Sequence, residues 1–123
     1  MKPTSFAPLP SMFNKTLLGL IFFSALLSAK TARAENEELT KLMLSNNCIA
    51  CHQIDKSGNG PQYNEVSRKY LGDKKAAKKL AHKIKAGGSG VWGEDMMPPQ
   101  PQVSKADAMH IAKLILALPP AKQ

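Results

Sequence analysis

The segment Cys48-Ile49-Ala50-Cys51-His52 contains both cysteines of the 123-residue chain and one of its three histidines. Cys-x-x-Cys-His is the pattern by which proteins attach haem c covalently. The two thiols add to the vinyl groups of the porphyrin, because a step of three residues brings their sulfur atoms to about the required separation. His52 then lies under the iron as its proximal ligand. The segment therefore predicts one haem c, bound through Cys48 and Cys51.

Two other interpretations of the cysteine pair are a thioredoxin-like redox site and half of a zinc site. A thioredoxin-like site needs a βαβ context. A structural zinc site needs a second pair of thiolate or imidazole ligands. The sequence offers neither a strand pattern nor a second ligand pair. Haem attachment is therefore the favoured interpretation.

The first third of the chain differs in composition from the rest. Lys2 and Lys15 precede an apolar stretch at residues 17–27, and Ala32-Arg33-Ala34 follows it. A basic start, a short apolar middle and a small-x-small end are typical of a secretory signal peptide. The apolar stretch is shorter than the roughly 20 residues that a helix needs to span a bilayer. A cleaved signal peptide is therefore favoured over an uncleaved membrane anchor, and the predicted location is the periplasm.

We expect residues 1–34 to be removed, with Met12 as an alternative start, and residues 35–123 to form a single domain. Cleavage removes no acidic residue and four of the 17 basic ones, so the formal charge falls from +8 to +4. A moderate positive charge favours solubility and steering toward acidic partner surfaces. It does not by itself indicate binding to nucleic acid, and export argues further against it.

The mature sequence has helical periodicity and no strand pattern, so the predicted fold class is all-α. Gly and Pro residues mark two loops, at residues 53–62 and 89–103, and long loops in small domains are usually functional or disordered. Helix signals separate these loops. The expected helices are residues 37–46 with Asn36 as N-cap, residues 66–70, residues 73–85, and a last helix that begins at the capping box Ser104-Lys105-Ala106-Asp107 and ends before Pro119-Pro120.

The sixth ligand of the iron is not fixed by the motif. The two remaining histidines lie on predicted helices among polar residues, where a solvated or partly buried imidazole is the usual state. Two of the methionines also occupy helical positions, where the flexible side chain commonly fills gaps in a core. Met96 and Met97 lie instead in the Gly/Pro-rich loop. The less favoured candidates for the sixth ligand are therefore His82, His110, Met43 and Met109.

The sequence resembles the short bacterial class I cytochromes c, of the type that donates electrons to haem cd nitrite reductase and to terminal oxidases. The resemblance covers nearly all of residues 36–123 and implies about four helices around one covalently bound haem. Besides the haem motif it rests on Gly60-Pro61, Ile84-Lys85-Ala86-Gly87, Gly90-Val91-Trp92-Gly93 and Met97-Pro98-Pro99.

The resemblance implies roles for individual residues. In that family the methionine directly before the Pro-Pro pair binds the iron, which selects Met97. The Pro61 carbonyl is expected to accept a hydrogen bond from Nδ1 of His52, fixing the ring as such partners do. Trp92 corresponds to a tryptophan that donates to a haem propionate. Lys83 stands where a propionate-binding arginine is often found.

Three features depart from the family pattern. Met43 replaces an aromatic residue expected on the first helix, which should loosen the packing of that helix on the last one. Gln100 stands where an asparagine often donates to the methionine sulfur. Glu94-Asp95 places two acids beside the ligand loop, where negative charge favours ferric iron. None of these changes removes an iron ligand.

The function implied is that of a soluble periplasmic one-electron carrier and not an enzyme. Expected partners are a membrane quinol-oxidising complex, a nitrite reductase or a terminal oxidase, and a monomer is expected. A run of lysines could form a basic rim that steers acidic partners or could simply be a solvated helix face. This run comprises Lys74, Lys75, Lys78, Lys79, Lys83 and Lys85.

Two rival interpretations remain at the level of sequence. A haem enzyme or gas-binding protein would require an open or easily displaced sixth site, which the two loop methionines argue against. A haem subunit of a larger oxidoreductase would need a large apolar interface.

Overall fold

The computed structural model describes residues 33–122. Nearly all of the predicted signal peptide, residues 1–34, lies outside this range, and only its last two residues, Arg33 and Ala34, are described. Both are helical. Between residues 33 and 122, no helix combines the length and the apolar character that crossing a bilayer requires.

Four α-helices form the described part of the chain. They are α1 at residues 33–45, α2 at Tyr63–Lys69, α3 at Ala76–Ala86 and α4 at Lys105–Ala117. A short 3₁₀ turn, Cys48–Ala50, follows α1. The nearest approach to a β-sheet in residues 33–122 is one isolated antiparallel bridge, between Gly88 and Met97. The predicted all-α fold with about four helices is therefore confirmed.

The start of α1 differs from the sequence prediction. Asn36 does not cap the helix, because residues 33–36 are already helical and the carbonyl of Asn36 accepts a hydrogen bond from Oγ1 of Thr40 at 2.8 Å. Arg33 also pairs with Glu37 at 3.0 Å, one turn along the helix. Such i,i+4 pairs support helical structure. The prediction of Asn36 as N-cap was wrong.

The start of α3 also differs, because Asp73 forms a turn before the helix. Its carboxylate accepts a hydrogen bond from the backbone N–H of Lys75 at 2.8 Å, and its carbonyl accepts one from Ala76 at 3.0 Å. Aspartate side chains commonly bond to the backbone two residues further on in this way. As a result, α3 begins at Ala76 rather than at Asp73.

The helix α2 is longer than the predicted 66–70 and begins at Tyr63. Gln62 before it is extended, with φ −67° and ψ 145°, and its carbonyl accepts from Val66 at 3.2 Å. The fixed ring of Pro61 suits an extended entry into a helix. The extra turn brings Tyr63 close to the haem motif.

The predicted cap of α4 is confirmed, since Oγ of Ser104 accepts a hydrogen bond from the backbone N–H of Asp107 at 3.0 Å. Helices α2 and α3 both pack against α4. Ser67 of α2, which is buried, donates to the carbonyl of Leu118 at 2.8 Å and so ties α2 to the end of α4. The predicted apolar face of α4 is buried: Ala108, Ile111, Ala112, Ile115 and Leu118.

Met43 lies in the core, as its helical position predicted, with only 3% of its surface exposed. It belongs to the same apolar cluster as Leu39 of α1 and Ile111 of α4. A flexible thioether adapts to an irregular gap. Met43 therefore contributes to the apolar packing of this cluster.

Candidate haem site

The haem motif begins in the 3₁₀ turn that follows α1. Asn47 precedes the turn in a left-handed conformation, with φ 59°, and so reverses the chain direction after the helix. The carbonyl of Cys48 then accepts hydrogen bonds from Cys51 at 3.2 Å and from His52 at 2.9 Å. Both cysteines are free thiols and half-buried. The turn therefore holds two thiols and one imidazole in a compact, fixed arrangement.

The imidazole of His52 is buried and oriented by a backbone carbonyl. Its Nδ1 atom lies 2.9 Å from the carbonyl oxygen of Pro61, as the resemblance implied. A carbonyl can only accept, so Nδ1 carries a proton, and in the neutral ring Nε2 is the nitrogen with the free lone pair. A neutral imidazole with one free nitrogen is the form that binds a metal.

Gly60 allows this approach because it has no side chain. A Cβ atom at Gly60 would lie 2.8 Å from Nδ1 and 3.0 Å from Nε2 of His52. Its backbone N–H donates to the carbonyl of Cys51 at 2.9 Å, which folds the loop back over the motif. The Gly60-Pro61 pair therefore supplies both the space for the ring and the group that orients it.

Tyr63 was not identified as a site residue from the sequence, but it stacks on His52. The two ring centroids are 5.1 Å apart and the planes differ by 21°. Burial, followed by the nearby Cys48 and Cys51, raises the pKa of the phenol well above its ordinary range, so the ring remains neutral. Burial likewise raises the pKa of the Cys48 thiol. In the sequence, the signal for this contact was that Tyr63 lies two residues after Pro61.

Met97 is held by backbone hydrogen bonds to the end of α3. Gly88 donates to the Met97 carbonyl at 2.9 Å, and Met97 donates back to the Gly88 carbonyl at 3.1 Å. Gly87 has φ 66°, and a Cβ atom there would contact the Met97 carbonyl and lie 2.7 Å from the nitrogen of Pro99. Met97 is half-buried, whereas Met96 is 67% exposed.

A cleft of about 560 Å³ brings the predicted site residues together. This volume is within the roughly 300–1,000 Å³ typical of sites for small molecules and cofactors. Apolar side chains from α2, α3 and α4 also line it, including Val66, Leu80 and Ile115. The predicted site residues in its lining are Cys51, His52, Pro61, Lys83, Trp92 and Met97. Cys48, the remaining predicted site residue, lies in the adjoining 3₁₀ turn.

These residues fit a haem. The cleft combines an apolar lining with thiols, an imidazole whose Nε2 is free and a thioether, which together can hold a porphyrin and its iron. The glycine at position 60 leaves the imidazole in place without a clash.

Trp92 and Lys83 lie at the same cleft, where the resemblance expects propionate partners. Trp92 is 41% exposed, and the ammonium of Lys69 lies 4.8 Å from the centre of its ring. A cation over an indole face is a favourable contact. Lys69 therefore adds a positive charge that sequence analysis had not assigned to the site.

The amide of Gln100 is engaged with the loop itself. Its Nε2 donates to the carbonyl of Pro98 at 3.0 Å, and its Oε1 accepts from Gln102 at 2.7 Å. Gln100 therefore stabilises the turn after Met97.

The predicted basic rim needs a correction at one residue. Lys85 does not face a partner, because its ammonium donates to the backbone carbonyls of the segment after Met97. Lys79 is exposed but pairs with Asp73 at 2.7 Å. The exposed lysines of the run are Lys74, Lys75, Lys78 and Lys79.

Comparison with known proteins places these features in a family. The sequence model described as cytochrome c matches residues 37–119. The chain belongs to the cytochrome c family. It is 46% identical to cytochrome c-552 of Nitrosomonas europaea over 101 residues, which cover 82% of this chain and 94% of that protein. It is 42% identical to cytochrome c-551 of Pseudomonas aeruginosa, over 82% of this chain and 93% of the other.

The folds agree as well. The crystal structure of wild-type Nitrosomonas europaea cytochrome c552 superimposes on this cytochrome with a TM-score of 0.61 and 48% sequence identity, over 63% of this chain and 95% of that one. This cytochrome is thus a small class I cytochrome c with one haem c, carried by the Cys48-x-x-Cys51-His52 motif. Members of this family are electron-transfer proteins, and the chain is not an enzyme.

Proposed function

We propose that this cytochrome is a soluble periplasmic one-electron carrier in which His52 and Met97 are the axial ligands of the haem iron. The observation that carries the proposal is that a buried imidazole with a free Nε2 and a half-buried thioether line the same cleft. When bound, haem supplies the redox chemistry, an iron that passes between the ferric and ferrous states.

The protein residues support this chemistry by holding the ligand atoms still. The Pro61 carbonyl orients His52, and the paired backbone bonds to Gly88 fix Met97. Pro98 and Pro99 restrict the backbone directly after the methionine. Because the thioether is neutral and soft, a His/Met pair favours ferrous iron and raises the reduction potential. A fixed ligand set changes little between oxidation states, and small change favours fast electron transfer.

Met97 is the better candidate than Met96 for a structural reason. Met96 is 67% exposed, whereas Met97 is half-buried. Both the N–H and the carbonyl of Met97 form hydrogen bonds with the backbone of Gly88. A ligand that must stay on the iron needs such anchoring. The same contrast supports a carrier over a gas-binding haem protein, which would need an easily displaced sixth ligand.

The proposal also includes the location of the protein and its redox partners. The predicted signal peptide, residues 1–34, supports a mature domain of residues 35–123 in the periplasm. Trp92, Val91 and Met96 present apolar surface beside the cleft, and exposed lysines lie on α3. Such a surface suits brief docking of a monomer to redox proteins: a membrane quinol-oxidising complex, a nitrite reductase or a terminal oxidase.

The test is the visible spectrum of the mature haem-loaded protein, oxidised and reduced, with and without carbon monoxide. We expect a sharp low-spin c-type spectrum when reduced, the far-red band of methionine-bound iron when oxidised, and no change with carbon monoxide. A high-spin spectrum or ready carbon monoxide binding would contradict His/Met ligation and favour a sensor or enzyme.

A further inference from the structure

Lys85, in the last turn of α3, reaches across to the segment that follows Met97. Its ammonium lies 2.8 Å from the carbonyl oxygen of Pro101 and 3.4 Å from that of Gln100, and it also donates to the carbonyl of Val103. An ammonium has three protons to donate. All three can thus be directed at one short stretch of backbone.

This stretch has few other ways to be held. Pro98, Pro99 and Pro101 lack a backbone N–H and cannot donate hydrogen bonds. The Gln100 N–H donates to the Ile84 carbonyl at 3.2 Å, which attaches the same stretch to the residue before Lys85. Val103 anchors its far end in the core, with 2% of its surface exposed.

The contacts divide into three successive attachments between the end of α3 and residues 97–103. Gly88 pairs with Met97, Ile84 accepts from Gln100, and Lys85 donates to the carbonyls that follow. The first two are backbone contacts, and the first of them also relies on Gly87 and Gly88, which have positive φ. The third depends on the side chain at one position, because only a long cationic group reaches several carbonyls at once.

We propose that Lys85 is a positioning residue for the sixth iron ligand: its ammonium holds residues 100–103 against α3 and thereby keeps the Met97 sulfur in place. The proposal rests on the proposed function, in which Met97 binds the iron. Lys85 is not among the residues that line the cleft. It acts by limiting how far the loop can swing away from α3, and hence how readily an external ligand can replace Met97.

Imidazole binding to the ferric protein tests this proposal, because imidazole must displace the methionine. In Lys85→Met, whose unbranched side chain is one atom shorter and carries no charge, we expect imidazole affinity to rise by at least about tenfold, as for loss of a charged hydrogen bond. Lys78→Met removes the same charge from an exposed site on α3 and should leave the affinity unchanged. Lys85→Arg retains a cationic donor and should restore much of the parent behaviour.

Two further measurements separate positioning from general weakening of the fold. Ile111→Val, in the core of α4, should lower thermal stability without changing imidazole affinity. Amide hydrogen exchange at Met97, Gln100 and Val103 should be faster in Lys85→Met than in Lys78→Met.

The possible failures are distinguishable. If the parent protein shows the far-red methionine band but Lys85→Met matches Lys78→Met in imidazole affinity and exchange, the role of Lys85 is overturned and the proposed function stands. If the parent lacks the band, ligation by Met97 is overturned, and the positioning role is overturned with it.

Discussion

Nδ1 of His52 lies 2.9 Å from the carbonyl oxygen of Pro61, nine residues further along the chain. This one contact holds a proton on Nδ1 and so makes Nε2 the nitrogen that is able to bind a metal. The carbonyl cannot be removed by changing a side chain. The position of the ring can, however, be disturbed through Gly60, whose Cα faces it.

Gly60→Ala should force the imidazole from its present position. The new Cβ atom would lie 2.8 Å from Nδ1 of His52, which is closer than ordinary contacts allow. We expect the free energy of unfolding of the haem-loaded protein to fall by about 1–3 kcal/mol, as for overpacking elsewhere. Denaturant unfolding and the haem spectrum measure the effect.

Gly90→Ala is the matched control for this substitution. Gly90 has a positive φ of 89° but no atom within 4 Å of a built Cβ, so only backbone strain is introduced. The control should cost about 1 kcal/mol and leave the spectrum unchanged. An equal spectral change in both variants would show that contact with His52 is not the cause.

Replacement of the two neighbouring methionines should give opposite results. Met97→Ala removes the proposed ligand, so the far-red band is lost and carbon monoxide binds the ferrous protein. Met96→Ala removes an exposed side chain and should retain the parent spectrum. Visible spectroscopy of both variants checks the assignment, which would be wrong if Met96→Ala were the variant that lost the band.

Ser67→Ala should weaken the attachment of α2 to the end of α4. The hydroxyl of Ser67 is buried and donates to the carbonyl of Leu118 at 2.8 Å. Its loss leaves a carbonyl without this donor, at a cost of about 1–3 kcal/mol in unfolding free energy. Ser45→Ala, on the exposed end of α1, should change stability by less than about 0.5 kcal/mol. Similar values for the two variants in chemical denaturation would contradict the role of Ser67.

The Asp73–Lys79 pair predicts a pH dependence with a definite sign. The hydrogen bond from Lys79, followed by that from the backbone of Lys75, holds the pKa of the Asp73 carboxyl below its ordinary value of about 3.9. Since the folded state favours the charged carboxylate, this contribution to stability is present above pH of about 4 and is lost as the pH falls through the lowered pKa.

An NMR titration of the Asp73 carboxyl measures this shift directly. Lys79→Met should move the pKa of Asp73 upward, toward about 3.9. Lys78→Met is the control, because Lys78 is exposed on the same helix and is not the hydrogen-bond partner of Asp73. The prediction fails if the two variants shift the pKa equally.

Features encoded in short segments could be predicted from the sequence. The haem motif identified the cofactor, and the Ser104–Asp107 pattern located the start of α4, because a capping box uses residues three apart. The helix pattern gave the all-α fold and the buried face of α4.

Features that depend on contacts between distant residues could not be predicted in the same way. Lys85 was one lysine in a basic run, and nothing in that run indicates that its partners lie 15 to 18 residues away. Tyr63 was not assigned to the site, since its stacking on His52 depends on how the loop between them folds. Helix α3 began late because the Asp73 side chain competed for the backbone.

The contacts that build the His52 part of the site close only short loops. Gly60 bonds to Cys51, Tyr63 bonds to Gln53, and the Pro61 carbonyl bonds to the imidazole of His52. Loops of about ten residues close within 10–100 ns, and none of these hydrogen bonds involves α3 or α4. This segment can therefore take up its structure before the C-terminal half of the chain has folded. Met97 lies on a segment that is fastened to the end of α3, so it takes its place at the cleft only after α3 has formed.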